Sequence, residues 1–345
     1  MGEIDNGNLT HHMEVTFLDV GQGCCTVIAT PHQHRVIMVD CKQGKGPAAL
    51  AYLRDNDLPD PAVICISHVH DDHDGFAGIF RKLIADGVVV ERVYSNYVGR
   101  TSKRCKDGSQ AVADQLEDLV DGDAAKSCDF RTDVPDYKLD GVTLQVLHPN
   151  KLDLDRHHDR IDMVNDLSGV LKVSFGKSSI LLPGDIKGWG ASRIIERFLA
   201  TPETMRSSLL LFPHHGAGWA DPSPTDMRHG IHLRPVGEFV TVIGPSWCVL
   251  SVGTDNDGHW EDWQHPSQQV LDLLIERQRQ NLGKFICTEA TQRCDPDCKG
   301  PPPAPCGGHV KFWLQEDGQI ELIEPSSTNL QAAINPLRQP QCRKG

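Results

Sequence analysis

The sequence predicts an α/β chain folded as an αββα sandwich, two β-sheets face to face with helices on both outer surfaces. Two observations carry this. Apolar, strand-like runs occur in both halves of the chain, and helical patterns lie between them, which is the layout of two sheets under helical layers. One short apolar strand, Ala62–Ser67, runs directly into a loop crowded with histidine and aspartate, so the chemistry sits at a strand end.

Met13–Val20 alternates imperfectly and is broken by Gly21-Gln22-Gly23; Cys24–Thr30 and Arg35–Asp40 follow around a Pro31–His34 turn. Pro47–Asp55 reads as a helix with proline at its start, where the missing N–H costs nothing. Phe76–Ala85 resumes a helix after the His-rich loop. Val142–Leu147, Gly169–Phe175 and Ser179–Pro183 read as strands of a second sheet, Ala191–Ala200 as a helix, and Ser207–Phe212 and Cys248–Val252 as strands. Pro266–Gln280 is an amphipathic helix, and Val310–Leu314 with Gln319–Ile323 a hairpin. These segments make one domain over residues 13–325. Residues 1–12 are expected to be a flexible N-terminal segment, Asn150–Asn165 a charged loop insertion, and 326–345 a flexible, proline-bearing tail.

With 39% hydrophobic and 23% charged residues, the 345-residue chain has the makeup of a globular protein with an ample core. It has no apolar run of roughly 18 residues, which predicts no membrane span. Residues 1–12 lack the apolar core of a signal peptide, and the expected location is cytoplasmic. A net charge of −13 disfavours coating nucleic acid with a broad basic face, though not a nuclease that binds phosphate locally. Arg100, Lys103, Arg104 and Lys106 form the clearest basic cluster, either a solvated loop or a phosphate-contacting edge. Of the 12 cysteines, Cys24, Cys41, Cys65, Cys248 and Cys287 lie in or beside apolar runs and read as small buried hydrophobes. Cys294, Cys298 and Cys306 cluster near His309, where either a structural zinc or free or disulfide-bonded thiols fit.

The strongest signal is Ser67-His68-Val69-His70-Asp71-Asp72-His73-Asp74-Gly75, with three imidazoles and three carboxylates in seven residues. His68 and His70, two apart on an extended segment, point the same way and can share one metal. Asp72 and His73, on the turn beyond, can serve a second ion. Nitrogen and carboxylate donors suit Zn, Mn or Fe.

His-x-His-x-Asp-His resembles the signature of the metallo-β-lactamase superfamily. The surrounding segments, Phe17-Leu18-Asp19-Val20-Gly21-Gln22-Gly23, Val39-Asp40, Leu181-Leu182-Pro183-Gly184-Asp185, Phe212-Pro213-His214-His215-Gly216 and His265-Pro266, resemble in order the ComEC-like metallo-hydrolases. The resemblance implies two divalent transition-metal ions, Zn or Mn, bridged by Asp185. It also implies that His214, rather than His215, completes the group of Asp72 and His73. Asp40 would orient a ligand imidazole, or else be a satisfied strand-end carboxylate. Where many relatives carry a third histidine this chain has Asn165, so the first site is expected to be oxygen-rich and tolerant of Mn; His157 or His158 could stand in, although an exposed loop pair is the better reading of them. Cys24-Cys25 stands where the family commonly has an acid.

Two ions about 3.5–4 Å apart can hold a hydroxide and polarise a phosphoryl or carbonyl group. In the mechanism expected here Asp72 orients the nucleophile and His265 contacts substrate or protonates the leaving oxygen, unless His265 only caps the helix after Pro266; His259 is a weaker candidate. The substrate the resemblance implies is a phosphodiester, DNA or RNA included. A carboxyl hydrolase of lactamase or thioesterase type and a catalytically silent scaffold are the competing readings.

Overall fold

Alternation along the strands divides their side chains between two cores. In one strand after another, odd positions such as Met13, Val15 and Phe17 point into one cluster, while Val27, Met38, Ile64 and Ile66 point into another. The computed structural model describes residues 12–32, 35–96, 107–157, 160–219, 235–254, 264–298 and 306–344. The basic cluster at Arg100, Lys103, Arg104 and Lys106 lies outside them, as do residues 1–11, His158, His259 and Pro301–Pro305.

In chain order the strands are β1 (His12–Phe17), β2 (Cys25–Ala29), β3 (Val36–Cys41), β4 (Pro61–Ile66), β5 (Val90–Ser95), β6 (Ala125–Asp129), β7 (Tyr137–Leu139) and β8 (Val142–His148). They continue with β9 (Val170–Phe175), β10 (Ser178–Leu182), β11 (Leu209–Leu211), β12 (Trp247–Leu250), β13 (Lys284–Cys287), β14 (Val310–Gln315) and β15 (Ile320–Glu324). One sheet has the order β15-β14-β1-β2-β3-β4-β5-β6 and the other β13-β12-β11-β10-β9-β8-β7.

Parallel neighbours need a crossover, and helices supply each one. α1 (Gly46–Asp55), α2 (Ala77–Asp86) and α3 (Asp107–Asp121) join β3 through β6 and bury the outer face of the first sheet. A short α4 (Lys151–His157) follows β8. α5 (Gly188–Arg197), α6 (Val236–Ile243) and α7 (Gln268–Arg279) join β10 through β13 and cover the second sheet. Between the sheets lies the largest cluster, in which Phe17 meets Phe312 edge-on at 6.4 Å. The fold is the αββα sandwich.

Two segments differ from expectation. Asn150–Asn165 holds α4 and a 3-10 turn at Ile161–Met163, because Asp153 is 2% exposed and paired with Arg193 and Arg197 at 3.3 and 3.0 Å. The tail from 326 is not loose: Ser326 caps α8 (Ser327–Ile334), Ile334 is buried, and a 3-10 turn at Gln341–Arg343 packs under α7. In both, tertiary contacts override a polar composition. No helix among the described residues is long and apolar enough to cross a membrane.

His148, fully buried at the end of β8, positions the second sheet's site end. Its Nε2 donates to the Asp166 carbonyl at 2.7 Å, and Asp166 in turn accepts from Lys187 N and Gly190 N just beyond Asp185. Burial pushes the imidazole pKa down from 6.5 to about 4. The unfolded chain therefore binds a proton between those values that the folded chain refuses, so stability is full above pH 6.5 and falls as pH drops toward 4. The contribution is ~3 kcal/mol. A His148→Gln variant should show a correspondingly flatter decline of urea-unfolding free energy between pH 6.5 and 4; an unchanged slope would exonerate His148.

Candidate metal centre

The His-rich loop leaves β4 and is sewn by backbone hydrogen bonds to the end of β3, the segment after it and the residue before β2. Cys41 N donates to His73 O at 2.8 Å, Gly75 N to Cys41 O at 2.5 Å, Gln43 N to Asp71 O at 2.7 Å and Cys24 N to Asp72 O at 2.9 Å. The approach is so close that a Cβ at Gly75 would run into the carbonyls of Cys41 and Lys42. Asp40, in the left-handed region at φ 55°, accepts from Ser67 N and Oγ at 2.7 and 2.8 Å. It also accepts from His73 Nδ1 at 2.7 Å. Asp40 thus fixes both the start of the loop and the tautomer of His73.

Asp185 arrives from the other sheet, after β10, and is 2% exposed. Gly184 before it has φ 55°, and a Cβ there would meet the side chains of Ser67 and Ser168 at 2.9 Å, so only glycine lets the carboxylate pass between them. Asp185 Oδ2 lies 3.7 Å from His68 Nε2 and 3.8 Å from His214 Nε2. Its Oδ1 lies 3.0 Å from His73 Nε2 and 3.7 Å from His215 Nε2. One carboxylate therefore faces two groups of donors.

Among the described residues, three sets of ligand atoms lie within 4.8 Å of one another: His68, His70 and Asp72; Asp72, His73, Asp185 and His215; and Cys24, His73 and His215. His214 was expected beside Asp72 and His73, but His215 occupies that place, with its Nε2 3.2 Å from Asp72. His214 instead turns to the His68 side, where Asn165 Nδ2 lies 3.4 Å from its Nε2. Both histidines are left-handed, at φ 51° and 52°, and this local twist sends them to opposite sides of Asp185. His157, offered as a stand-in ligand, rests against Trp189 with ring centroids 5.4 Å apart.

The hydrogen bonds dictate what fits. His73 Nδ1 donates to Asp40, and His215 Nδ1 donates to the Ser251 carbonyl at 2.8 Å. With those protons committed, the two Nε2 lone pairs face each other at 3.2 Å. That arrangement is repulsive unless a cation or a further proton lies between them. Burial opposes charge on His73 and His215, yet Asp185 and its anionic neighbours outweigh it and raise both pKa values. Burial alone would raise Asp185, but the imidazoles hold it well below the usual carboxylate range. His68 and His70 are lowered by burial and stay neutral donors. Asp185 Oδ1 and Asn165 Oδ1 are buried without a hydrogen-bond partner among the described residues. The donor set fits divalent transition metals.

His265 lies at the rim, its ring 5.4 Å from His214 and 6.5 Å from His215, and burial pushes its pKa down to about 4. It is neutral at pH 7, short of the ready-protonated acid expected from sequence. His309 is not beside the cysteines: its Nδ1 accepts from Asp19 N at 2.9 Å and its ring meets Tyr52. Cys24, marked in the sequence as standing where relatives carry an acid, adjoins His73 and His215, and Lys187 carries no motif that would single it out. Burial is the main cause that lowers His70, His214 and His265, and the Lys187 ammonium adds to it.

A model of the metallo-beta-lactamase superfamily matches residues 18–198, just over half of the chain. ComE operon protein 3 of Bacillus subtilis (strain 168) is 21% identical over 290 residues, covering 77% of this chain and 31% of that protein. The chain thus spans less than a third of that relative. Among solved structures, the diiron β-hydroxylase CmlA of Streptomyces venezuelae matches with TM-score 0.44 and 14% identity over 80% of this chain and 52% of its own. Metallo-beta-lactamase IND-7 matches with TM-score 0.34 and 14% identity over 65% of this chain and 94% of its own.

Replacing Asp40 with Asn keeps its volume but removes the charge that holds His73. Metal affinity of the folded variant should fall about 10- to 100-fold in chelator competition. Unchanged affinity would show that His73 is oriented without Asp40.

Proposed function

Because the chain belongs to the metallo-beta-lactamase superfamily, we propose that its His/Asp cluster holds two divalent transition-metal ions and that the protein is a phosphodiesterase. His68, His70 and Asp185 Oδ2, with His214 and Asn165 Oδ1 beside them, would hold one ion. Asp72, His73, His215 and Asp185 Oδ1 would hold the other, with Cys24 adjoining. The oxygen donors of the first group admit Mn, and the thiol beside the second favours Zn. Bound ions supply an acidified water and polarise the scissile group.

The chain's own residues do the rest. Asp72, partly exposed and held anionic by His73 and His215, is placed to accept a hydrogen bond from the attacking water. Asp40 and the Ser251 carbonyl keep His73 and His215 in the tautomers that present Nε2. His265 offers a buried Nδ1 with no hydrogen-bond partner among the described residues, at the rim where substrate would lie.

The observation that favours a phosphodiester over a carboxyl substrate is Lys187. Its charge adds to the burial that depresses three histidines, and an anionic substrate would be drawn to it and relieve that added repulsion. A phosphate beside His265 would also raise that imidazole toward protonation, which an uncharged ester would not.

Mn-loaded protein should cleave bis-p-nitrophenyl phosphate faster than a chromogenic lactam or thioester. His265→Ala should slow that cleavage at least tenfold with metal content intact, the scale of losing a positioned proton donor. Lys187→Ala should raise KM for the phosphodiester. Good turnover of a lactam with phosphodiesters untouched would overturn the proposal.

A further inference from the structure

Four separate segments bring cysteines to one edge of the second sheet. Cys287 ends β13, and Cys294 closes a turn in which its N–H donates to Thr291 O at 2.8 Å. Cys306 N donates to Thr288 O at 3.0 Å and Gly307 N to Cys287 O at 2.8 Å, laying the chain before β14 against the end of β13. Cys342 lies in the C-terminal 3-10 turn, and its carbonyl accepts from Gln278 Nε2 of α7 at 2.9 Å. That turn is fastened to the Cys294 segment: Gln339 N donates to Cys294 O and the buried Gln341 Nε2 to Arg293 O, both at 2.7 Å. Arg338 pairs with Asp295 and Asp297.

We propose that Cys287, Cys294, Cys306 and Cys342 form a tetrathiolate site for a soft divalent ion, zinc foremost, that clasps the C-terminal turn to the second sheet.

Side-chain chemistry selects these four. The thiols of Cys306 and Cys342 hydrogen-bond, and every pair among the four interacts electrostatically. Cys298 interacts with Cys294 alone of the four, and His309 faces Asp19, so neither belongs to the set expected from sequence. Burial raises Cys287 and Cys294, and the hydrogen bond with Cys342 together with burial raises Cys306. The same hydrogen bond lowers Cys342 to about 7. Cys342 is then the first thiolate, and an ion recruits the others by displacing their protons. The sulfurs are not gathered as tightly as the donors of the main cluster. With Zn–S bonds of about 2.3 Å, loading draws the C-terminal turn inward. One disulfide would leave two of the four thiols buried without a role, and two disulfides would leave no thiol for an ion.

The full chain, purified anaerobically without added thiol, tests this by zinc content and by cobalt substitution. Expected is one zinc per chain that is released when a mercurial titrates the thiols. A sulfur-to-cobalt charge-transfer band should persist in a Cys24→Ser background, where the main cluster has no thiol. Cys342→Ser should abolish the band and lose that zinc, whereas Cys298→Ser and His309→Ala should keep both. Loss on Cys298→Ser or His309→Ala, with retention in Cys342→Ser, would overturn the assignment. So would a denatured wild-type chain with two or more of its 12 cysteines oxidised and no thiol-bound zinc. If Cys342→Ser does not fold, the cobalt band and the thiol count on chains carrying all four cysteines still decide. The result is independent of the main cluster's substrate.

Discussion

A carboxylate buried as deeply as Asp185 stays ionised only while positive charge or donated protons surround it, and this requirement organises the site. Its two oxygens look in different directions. One meets His73 and His215, the other His68 and His214, so side chains from three loops on two sheets converge on a single anion. Geometry further back serves this convergence. Asp40 turns His73, Ser251 turns His215, and Gly184 opens the passage between Ser67 and Ser168.

Holding these positions costs backbone energy. Asp40, His214 and His215 all sit at positive φ without being glycine, each at an expense on the order of 1–3 kcal/mol. The compensation is local and specific. Ser67 donates twice to Asp40, His214 N donates to Gly184 O, and Ala217 N donates to His214 O. Gly21-Gln22-Gly23 contributes as well: Ser251 Oγ donates to Gly23 O at 2.6 Å and Gly253 N to Gln22 Oε1 at 3.2 Å. A motif that reads in sequence as a strand break is, in space, a tie between the sheets at the site.

Legibility in the sequence followed burial. β3, β4, β10, β12 and the helices α1, α2 and α7 carry apolar runs or clean amphipathic patterns, because each presents at least one face to a dry core. β6, with its mixture of half-buried and exposed residues at a sheet edge, gave no such pattern, whereas α3 carries Val112, Leu116 and Leu119 buried at helical spacing and went unread behind a charged stretch. The histidine loop was legible as a unit because its six ligand-type side chains are consecutive or nearly so. Which of His214 and His215 faces which group was not, since both belong to one motif and only the left-handed backbone separates them. His309 was misplaced for the opposite reason: proximity in sequence to Cys306 says nothing once Gly307 and Gly308 turn the chain toward Asp19. Cys342 was missed because 35 residues, including a hairpin and a helix, separate it from Cys306.

β14 pairs with β1 along its whole length, from His12 opposite Gln315 to Phe17 opposite Val310, and so stands between β1 and β15. On a ribosome the first strand therefore emerges with one hydrogen-bonding edge open, and its partner for that edge is made almost three hundred residues later. Until then Met13, Val15 and Phe17 lack the Phe312 and Leu314 neighbours that complete their layer. An unpaired apolar edge is a template for pairing between chains, and closing so long a loop slows folding. The first sheet thus finishes last although it begins first, and its vulnerable interval is set by the time taken to synthesise everything between.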